Sequence, residues 1–560
     1  MQEDKQIESL VLEINQEKMQ VPVGTPLLSI MAKMEKKFPF PVLGAKYNGQ
    51  LVDLYTEVTA PGRIELIDIT SEEGMRIYRQ SLVFLLARAV NELYPIRVLK
   101  VEHSLGKSYY CEFKGMDYIS PLDLIALEGK MRELVEAEEP IIPQYLSREI
   151  ALSMLRAQGH EEKAALLENF NWPKIRIYTS GSYSNYSYRV LAPDTGKLRV
   201  FKLEAYAQGF LLRFPNSTNP EQVAAYPNLP KLAQIFHESE EWLSILGTNN
   251  LADLYAGWHS DQQKRDELIH ISEALQEKKI ARIADEIYSQ HERFRIVLIA
   301  GPSSSGKTTF AQRLAIQLRV LGLKPISISL DDYFVDRDNT PIDERGDFDF
   351  EALEAIDLEL FNQQLQELIA GQEVEIPSFN FESGLREWNG KKLQLKAGQP
   401  MIIEGIHGLN EKLTPSVPRE KKYKIYISAL TQISIDDHNR IQTTDTRLIR
   451  RIVRDNQFRG QCALNTLRRW PSVRRGEEKN IFPYQEEADI MFNSALLYEL
   501  CILKKYAVPL LSQVSSQEKE YTDACRLLDL LKYFPEYSAK NVPLNSILRE
   551  FIGGSSIHGQ

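Results

Sequence analysis

Apolar and polar positions divide this 560-residue chain into stretches of different period. Leu10-Val11-Leu12-Glu13-Ile14 alternates as a strand does, Val23-Gly24-Thr25 reads as a turn, and a helix is predicted from Pro26 to about Lys37. With strands near 44–51 and 64–67, residues 1–70 form a small unit that Pro61-Gly62 helps to close. From Glu72 the spacing turns helical and directs Leu82, Leu85, Leu86, Ala89 and Leu93 inward; short strands and helices then continue, giving a second domain over 71–236. Charge density rises over 237–292, as in Gln262-Gln263-Lys264-Arg265-Asp266-Glu267, and predicts a helical connector. Apolar runs at 296–300, 326–330, 401–403 and 425–428 alternate with helical stretches, which predicts a parallel sheet wrapped by helices over 293–511. Residues 512–560 read as a C-terminal helix and tail in which no chemistry is legible.

Composition narrows the class. Apolar and charged fractions of 43% and 26% are those of a globular protein, and a net charge of -10 argues against a general nucleic-acid binder, which needs a cationic face. The four cysteines, Cys111, Cys462, Cys501 and Cys525, have no paired spacing, so neither a disulfide framework nor a thiolate zinc site is indicated. Met1-Gln2-Glu3-Asp4-Lys5 lacks a basic segment followed by an apolar one, and no apolar run approaches membrane-spanning length. A cytoplasmic protein without a membrane partner is expected.

The chemistry concentrates at Gly301-Pro302-Ser303-Ser304-Ser305-Gly306-Lys307-Thr308, two glycines four residues apart followed by Lys and Thr. Such a loop lets successive backbone N–H groups converge on phosphate oxygens while the lysine reaches the terminal phosphates and the hydroxyl holds magnesium. The flanks agree: Ile296–Ala300 is an apolar run of buried-strand type, and Phe310, Leu314 and Leu318 recur every fourth residue. The nucleotide-contacting set is therefore Gly301, Ser303, Ser304, Ser305, Gly306, Lys307, Thr308 and Thr309. Asp331 and Asp332 follow the second apolar run and Glu404 ends the third, positions where carboxylates face ligands in open α/β sheets.

Taken together, residues 295–510 resemble the uridine kinase and phosphoribulokinase group of P-loop kinases. The resemblance implies that Asp331 is the general base, with Asp332 the alternative if the register is offset by one, and that Thr308 and Glu404 hold magnesium. Asp445-Thr446-Arg447-Leu448-Ile449-Arg450-Arg451-Ile452-Val453-Arg454 resembles that group's arginine-bearing lid helix, so Arg451, Arg454 and Arg459 are expected on nucleotide phosphates, with Lys307, Arg451 and Arg454 offsetting transition-state charge. A second basic cluster, Arg468-Arg469-Trp470 and Arg474-Arg475, is a candidate anion clamp. ATP and magnesium are the implied cofactors.

The acceptor side departs from the group. Glu351-Ala352-Leu353 stands where uridine kinases read Asp-His-Pro, and Phe379 and Gly384 replace their base-reading Tyr and His. Loss of polar groups that pair with a pyrimidine removes discrimination. Tyr333, Glu351, Phe379 and Arg386 are the expected substrate contacts.

The front half is similar to the N-terminal region of threonyl-tRNA synthetase. Tyr47-Asn48-Gly49-Gln50-Leu51-Val52-Asp53-Leu54 matches its ubiquitin-like TGS domain, of β-grasp fold, and residues 71–236 match its α+β editing-type domain. The resemblance also locates what is missing. The four metal-ligand slots of that domain hold Gln80, Phe84, Ser187 and Leu191, none of which is a zinc donor, so no zinc and no deacylation of mischarged tRNA are expected. Three readings stay open: an ATP-dependent kinase acting on a hydroxyl of a small molecule, a nucleoside with altered acceptor specificity being the first choice; an RNA-associated or nucleotide-sensing regulator; and a phosphoribulokinase-like sugar-phosphate kinase. A nucleic-acid contact through the front half is unexpected but open.

Overall fold

A computed structural model describes residues 9–14, 17–34, 38–116, 118–344 and 346–557. The chain's first residues and the expected helix end at Lys37 lie outside the described residues.

The first unit is a five-stranded sheet ordered Glu17–Pro22, Ser9–Ile14, Gly62–Asp68, Val42–Tyr47, Gln50–Val52. Asn48 and Gly49, at φ 52° and 79°, form the two-residue turn that joins the last two strands, since a tight hairpin needs left-handed residues there. The helix Leu27–Met34 buries Leu27, Ile30, Met31 and Met34 against the sheet.

The second unit starts where the Ser71 side chain accepts the Gly74 N–H, capping the helix Glu72–Leu93. Leu82, Leu85, Leu86 and Ala89 are buried as the period predicts, but Leu93 is exposed, because the apolar stripe ends before the last turn of this helix. A four-stranded antiparallel sheet (Lys202–Tyr206, Gly209–Arg213, Ser108–Phe113, Leu99–Ser104) and a three-stranded one (Ile142–Ser147, Lys174–Ser180, Tyr183–Tyr186) complete it.

The third unit is an α/β layer built on a five-stranded parallel sheet, ordered Ile326–Ser329, Met401–Glu404, Ile296–Ala300, Lys422–Ser428, Ile490–Asn493. The central strand is buried along its whole length, as a strand covered by helices on both faces must be. Lys422 and Lys424 interrupt the apolar run of the fourth strand, yet both are buried, each paired with Glu411 at 2.5 Å. Burial of the two ammonium groups is tolerable because Glu411 and main-chain carbonyls accept their hydrogen bonds. The fifth strand, Ile490–Asn493, escaped the sequence reading.

Helices at 230–246, 251–257 and 262–289 occupy the segment expected as a connector. They pack on the third unit: Leu268, Ile269, Ile280, Ile283 and Ile287 lie in one apolar cluster with Phe310, Leu314 and Leu318 of the helix Lys307–Val320. Arg313 of that helix pairs with Glu277 at 2.6 Å. The C-terminal stretch joins the same cluster through Ile547, Leu548 and Phe551, all fully buried. Among the described residues no helix is long and apolar enough to cross a membrane.

Candidate functional site

The site forms where the strand Ile296–Ala300 hands over to the helix Lys307–Val320. A Cβ on Gly301 would lie 2.0 Å from the Ile427 carbonyl oxygen, so glycine alone lets the loop leave the sheet this close to its neighbour. Ser304 and Gly306 sit at φ 60° and 85°, the left-handed backbone from which anion-binding loops of successive N–H groups are built. The Ser304 and Ser305 hydroxyls are buried and have no hydrogen-bond partner among the described residues, as befits a cradle for an oxyanion. Lys307 Nζ folds back onto the Pro302 carbonyl at 3.3 Å.

Two acids stand across from the loop. Glu404 ends its strand in register with Ser329, and its Oε1 accepts from the Ser329 hydroxyl at 2.9 Å and the Thr308 hydroxyl at 3.3 Å. Burial pushes its carboxyl up to about 7, the Asp331 charge adds to this, and Lys307 opposes it. A buried carboxylate beside a hydroxyl, with that appetite for positive charge, fits a divalent cation. Asp331 also acts electrostatically on Glu351 and Arg459. Asp332 faces elsewhere: its carboxyl interacts with Lys391 and the Phe379 N–H, and burial raises its pKa. Glu351 packs its Cβ against Gly476 and is pushed up to about 7, by desolvation first, with Arg451 opposing and Glu477, Asp349 and Asp331 adding.

The arginine helix spans Thr443–Arg459. Arg451 donates to the Ser303 hydroxyl at 2.7 Å, which brings it to the loop. Arg454 pairs with Asp455 at 2.8 Å, and Arg459 stacks over the Phe381 ring at 4.8 Å. Arg459 is held down to about 10, chiefly by the positive charge of Arg454, so the end of this helix concentrates cations that an anion would relieve. The second basic cluster is engaged within the chain: Arg468 pairs with Glu518, Arg474 with Glu477, and Arg475 with Asp343.

Sequence reasoning missed the groups that grip the loop from behind. Arg447 donates to the Ser303 carbonyl at 3.0 Å and pairs with the fully buried Glu477, whose Oε1 accepts the Ser303 N–H at 3.0 Å. Arg450 donates to the carbonyls of Ser304, at 3.4 Å, and Ser494, at 2.9 Å, and pairs with Glu499. Positions 447, 450, 451 and 454 fall on one face at helical spacing, a signal that could have marked Arg447 and Arg450. Nothing local points to Glu477.

On the acceptor side the expected residues separate. Tyr333, expected as a substrate contact, is a core residue: fully buried, stacked edge-on with Phe361, its hydroxyl donating to Gln364 at 2.8 Å. The turn Leu330–Tyr333 sets this side chain in the apolar cluster that also holds Phe334 and Phe361. Arg386 forms an ion pair with Asp357 at 2.8 Å rather than joining Asp331. Phe379 packs between Phe334 and Phe381, with ring centroids at 5.5 and 5.2 Å. Gly384 has φ 75° and a Cβ there would meet Arg337 at 2.7 Å, so the hairpin geometry demands glycine where a larger residue was noted as missing. Glu351 is the one expected acceptor contact placed in the electrostatic reach of both Asp331 and Arg451.

In the front half, Gln80 donates to Asn439 Oδ1 at 3.1 Å, Phe84 stacks edge-on with Tyr183, Ser187 donates to the Arg189 carbonyl, and Leu191 is buried. Among the described residues no group of three or more His, Cys, Asp or Glu is arranged to hold a metal ion.

Residues 296–497 match the family model described as Phosphoribulokinase / Uridine kinase family. The N-terminal region is similar to threonine–tRNA ligases: 30% identical over 206 residues to that of Syntrophotalea carbinolica, covering 36% of this chain and 32% of the ligase. It is 32% identical over 169 residues to that of Burkholderia mallei, covering 30% and 27%. The chain thus spans about a third of the length of these curated relatives, 32% and 27%. Similar solved structures include a putative fructose transport system kinase from Silicibacter sp. TM1040, at 16% identity and TM-score 0.27, covering 38% of this chain and 98% of that one. A possible uridine kinase from Bacillus stearothermophilus matches at 18% identity and TM-score 0.26, covering 38% and 97%.

Proposed function

Residues 296–497 form a domain of the phosphoribulokinase and uridine kinase family, and from that premise we propose that the protein transfers the γ-phosphoryl of ATP to a hydroxyl of a small molecule. The observation that carries this reading is the convergence of Lys307, Thr308, Glu404 and Asp331 on one end of the parallel sheet, with Arg451 bonded to the Ser303 hydroxyl of the loop.

Each group has a part in such a reaction. The loop's N–H groups and Lys307 bind the polyphosphate. Thr308 and Glu404 would hold magnesium, which supplies charge neutralisation between the β- and γ-phosphates. Asp331 takes the proton of the acceptor hydroxyl as its oxygen bonds to the γ-phosphorus and the bond to the β–γ bridging oxygen breaks, leaving ADP. Lys307, Arg451 and Arg454 offset charge spread over the equatorial oxygens, a task suited to planar guanidinium groups. Glu351 fits a sugar-type hydroxyl, whereas Phe379 and the glycine at 384 bring no polar side chain to a base. That combination supports an acceptor with several hydroxyls, a nucleoside of altered specificity being the first to try and a sugar phosphate the second.

The test is transfer of label from γ-labelled ATP to a panel of nucleosides, sugars, sugar phosphates and polyols, repeated with Asp331→Asn. Acceptor-dependent transfer that the substitution abolishes supports the proposal. Slow hydrolysis without any acceptor, untouched by Asp331→Asn, would favour a nucleotide-sensing role instead.

A further inference from the structure

The kinase strand Lys422–Ser428 does not lead directly into the arginine helix; the connecting chain first dips into the front half. Asp436, Asp437, His438, Asn439 and Arg440 are each more than nine-tenths buried there. Val101 N–H donates to the Asp437 carbonyl at 2.8 Å, and Lys163 approaches His438 Nδ1 at 2.8 Å. Asn439 donates to the Tyr186 carbonyl at 3.3 Å and accepts from Gln80 at 3.1 Å. Arg440 donates to the Glu102 carbonyl at 3.0 Å and the Ser104 hydroxyl at 2.6 Å. The chain's own segment therefore fills the space beside Gln80, one of the positions at which a metal-bearing editing domain would carry a ligand.

Five residues later the connection is repeated by charge. Asp445, in the first turn of the arginine helix, is buried between Arg189 of the front half, at 3.3 Å, and Arg526 of the C-terminal helix Tyr521–Leu531, at 2.5 Å. Arg526 in turn pairs with Asp523, which pairs with Arg76 of the front half at 3.4 Å. Asp445 and Arg451 are six residues apart, about 9 Å along a stiff helix. A tilt at the first turn is thus delivered to the contacts that Arg447, Arg450 and Arg451 make with Ser303 and Ser304.

We propose that the front half is a positioning device for the arginine helix, and that Arg189 and Asp445 are its positioning residues. This rests on the kinase reading for its activity readout. An ionic grip in a buried setting suits the task, because losing Arg189 leaves the buried Asp445 carboxylate held by Arg526 alone, and the first turn of the helix must shift to rebalance it.

A double-variant cycle on phosphoryl transfer tests this. Arg189→Met is expected to lower kcat about tenfold, Asp445→Asn at least as much, and Arg189→Lys only two- to threefold because charge is kept. The combined variant is expected to be no slower than Asp445→Asn alone, since the pair acts as a unit. Hydrogen exchange gives a second readout that needs no turnover: amides of residues 443–451 exchange faster in Arg189→Met while the central strand Ile296–Ala300 does not. Losses that multiply, or unchanged kcat and unchanged exchange in folded variants, overturn the proposal. An inactive wild-type protein instead counts against the kinase reading, and the exchange experiment alone then decides the positioning. Should Arg189→Met fail to fold, Gln80→Ala removes only the bonds to the inserted segment, and exchange over 436–446 is read in its place, with acceleration expected and no change overturning.

Discussion

Glu550, in the last short helix of the chain, accepts hydrogen bonds from both the backbone N–H of Thr309, at 3.1 Å, and the Thr309 hydroxyl, at 2.7 Å. Thr309 lies in the first turn of the phosphate-loop helix, where unpaired N–H groups and the helix dipole favour an anion. Here a carboxylate from the tail takes those donors, and Ile547 beside it rests against Gly306. Glu550 also adds to the negative field on Glu404. On both counts it places negative charge where the proposed polyphosphate would bind.

Replacing Glu550 with Gln keeps the shape and removes the charge. ATP affinity is expected to rise about fivefold, the equivalent of roughly 1 kcal/mol for one charge at a helix terminus. Calorimetric titration of the full-length protein measures this. Equal or weaker binding by Glu550→Gln would mean that the carboxylate supports the loop instead of competing for it.

The two neighbouring aspartates are expected to differ sharply. A general base contributes about 10²–10⁴-fold, so Asp331→Asn should lower kcat by roughly a thousandfold. Asp332 interacts with Lys391 and the Phe379 N–H, outside the reach of Glu404. Asp332→Asn is therefore expected to cost less than tenfold, read in the same labelled-phosphoryl assay. A reversed order would exchange their roles.

Glu351 makes stability depend on pH. Its carboxyl is raised to about 7 from 4.5, so between those values the folded protein binds more protons than the unfolded chain. The stabilisation from this group is complete below about pH 4.5 and is lost as pH rises through 7. Glu351→Gln, which cannot ionise, escapes that loss. Its Tm relative to wild type is expected to climb between pH 5 and pH 8, by an amount of order 2 kcal/mol in stability. A flat difference across that range would show that Glu351 is solvated in the folded state.

The phosphate loop was readable in the sequence because its determinants are local: two glycines, a buried strand before them and a helix period after. Glu404 and Asp331 were readable for a related reason, since each terminates an apolar run of the parallel sheet. What escaped depends on distant partners. Lys422 and Lys424 disguise the start of the strand read at 425–428, because Glu411 that neutralises them lies outside it. The strand Ile490–Asn493 offers only three apolar residues, Ile490-Met491-Phe492, before Asn493-Ser494 interrupts the run. Tyr333 follows the two acids directly in sequence, yet the turn Leu330–Tyr333 buries it in the core while Asp331 stays half-buried. Glu550 acquires meaning only from Thr309, 241 positions earlier. The helices of 237–292 read as a connector because their charged faces dominate the sequence, while their apolar faces pack with the helix Lys307–Val320.

Glu477 offers the sharpest test of the support behind the loop. Its carboxylate is wholly buried, accepts the Ser303 N–H, and neutralises Arg447, with Arg474 on its second oxygen at 2.9 Å. Glu477→Gln keeps the volume but strands the Arg447 guanidinium in a dry site, and breaking a buried pair from one side costs about 3–5 kcal/mol. A large drop in Tm is expected. Removing the second charge as well, in Glu477→Gln with Arg447→Met, abolishes the stranded cation, so the double variant should regain at least half of the lost stability although it lacks one more native contact. If the double variant is instead less stable than the single one, the Arg447 bond to the Ser303 carbonyl outweighs the ion pair, and the loop is held chiefly by that bond.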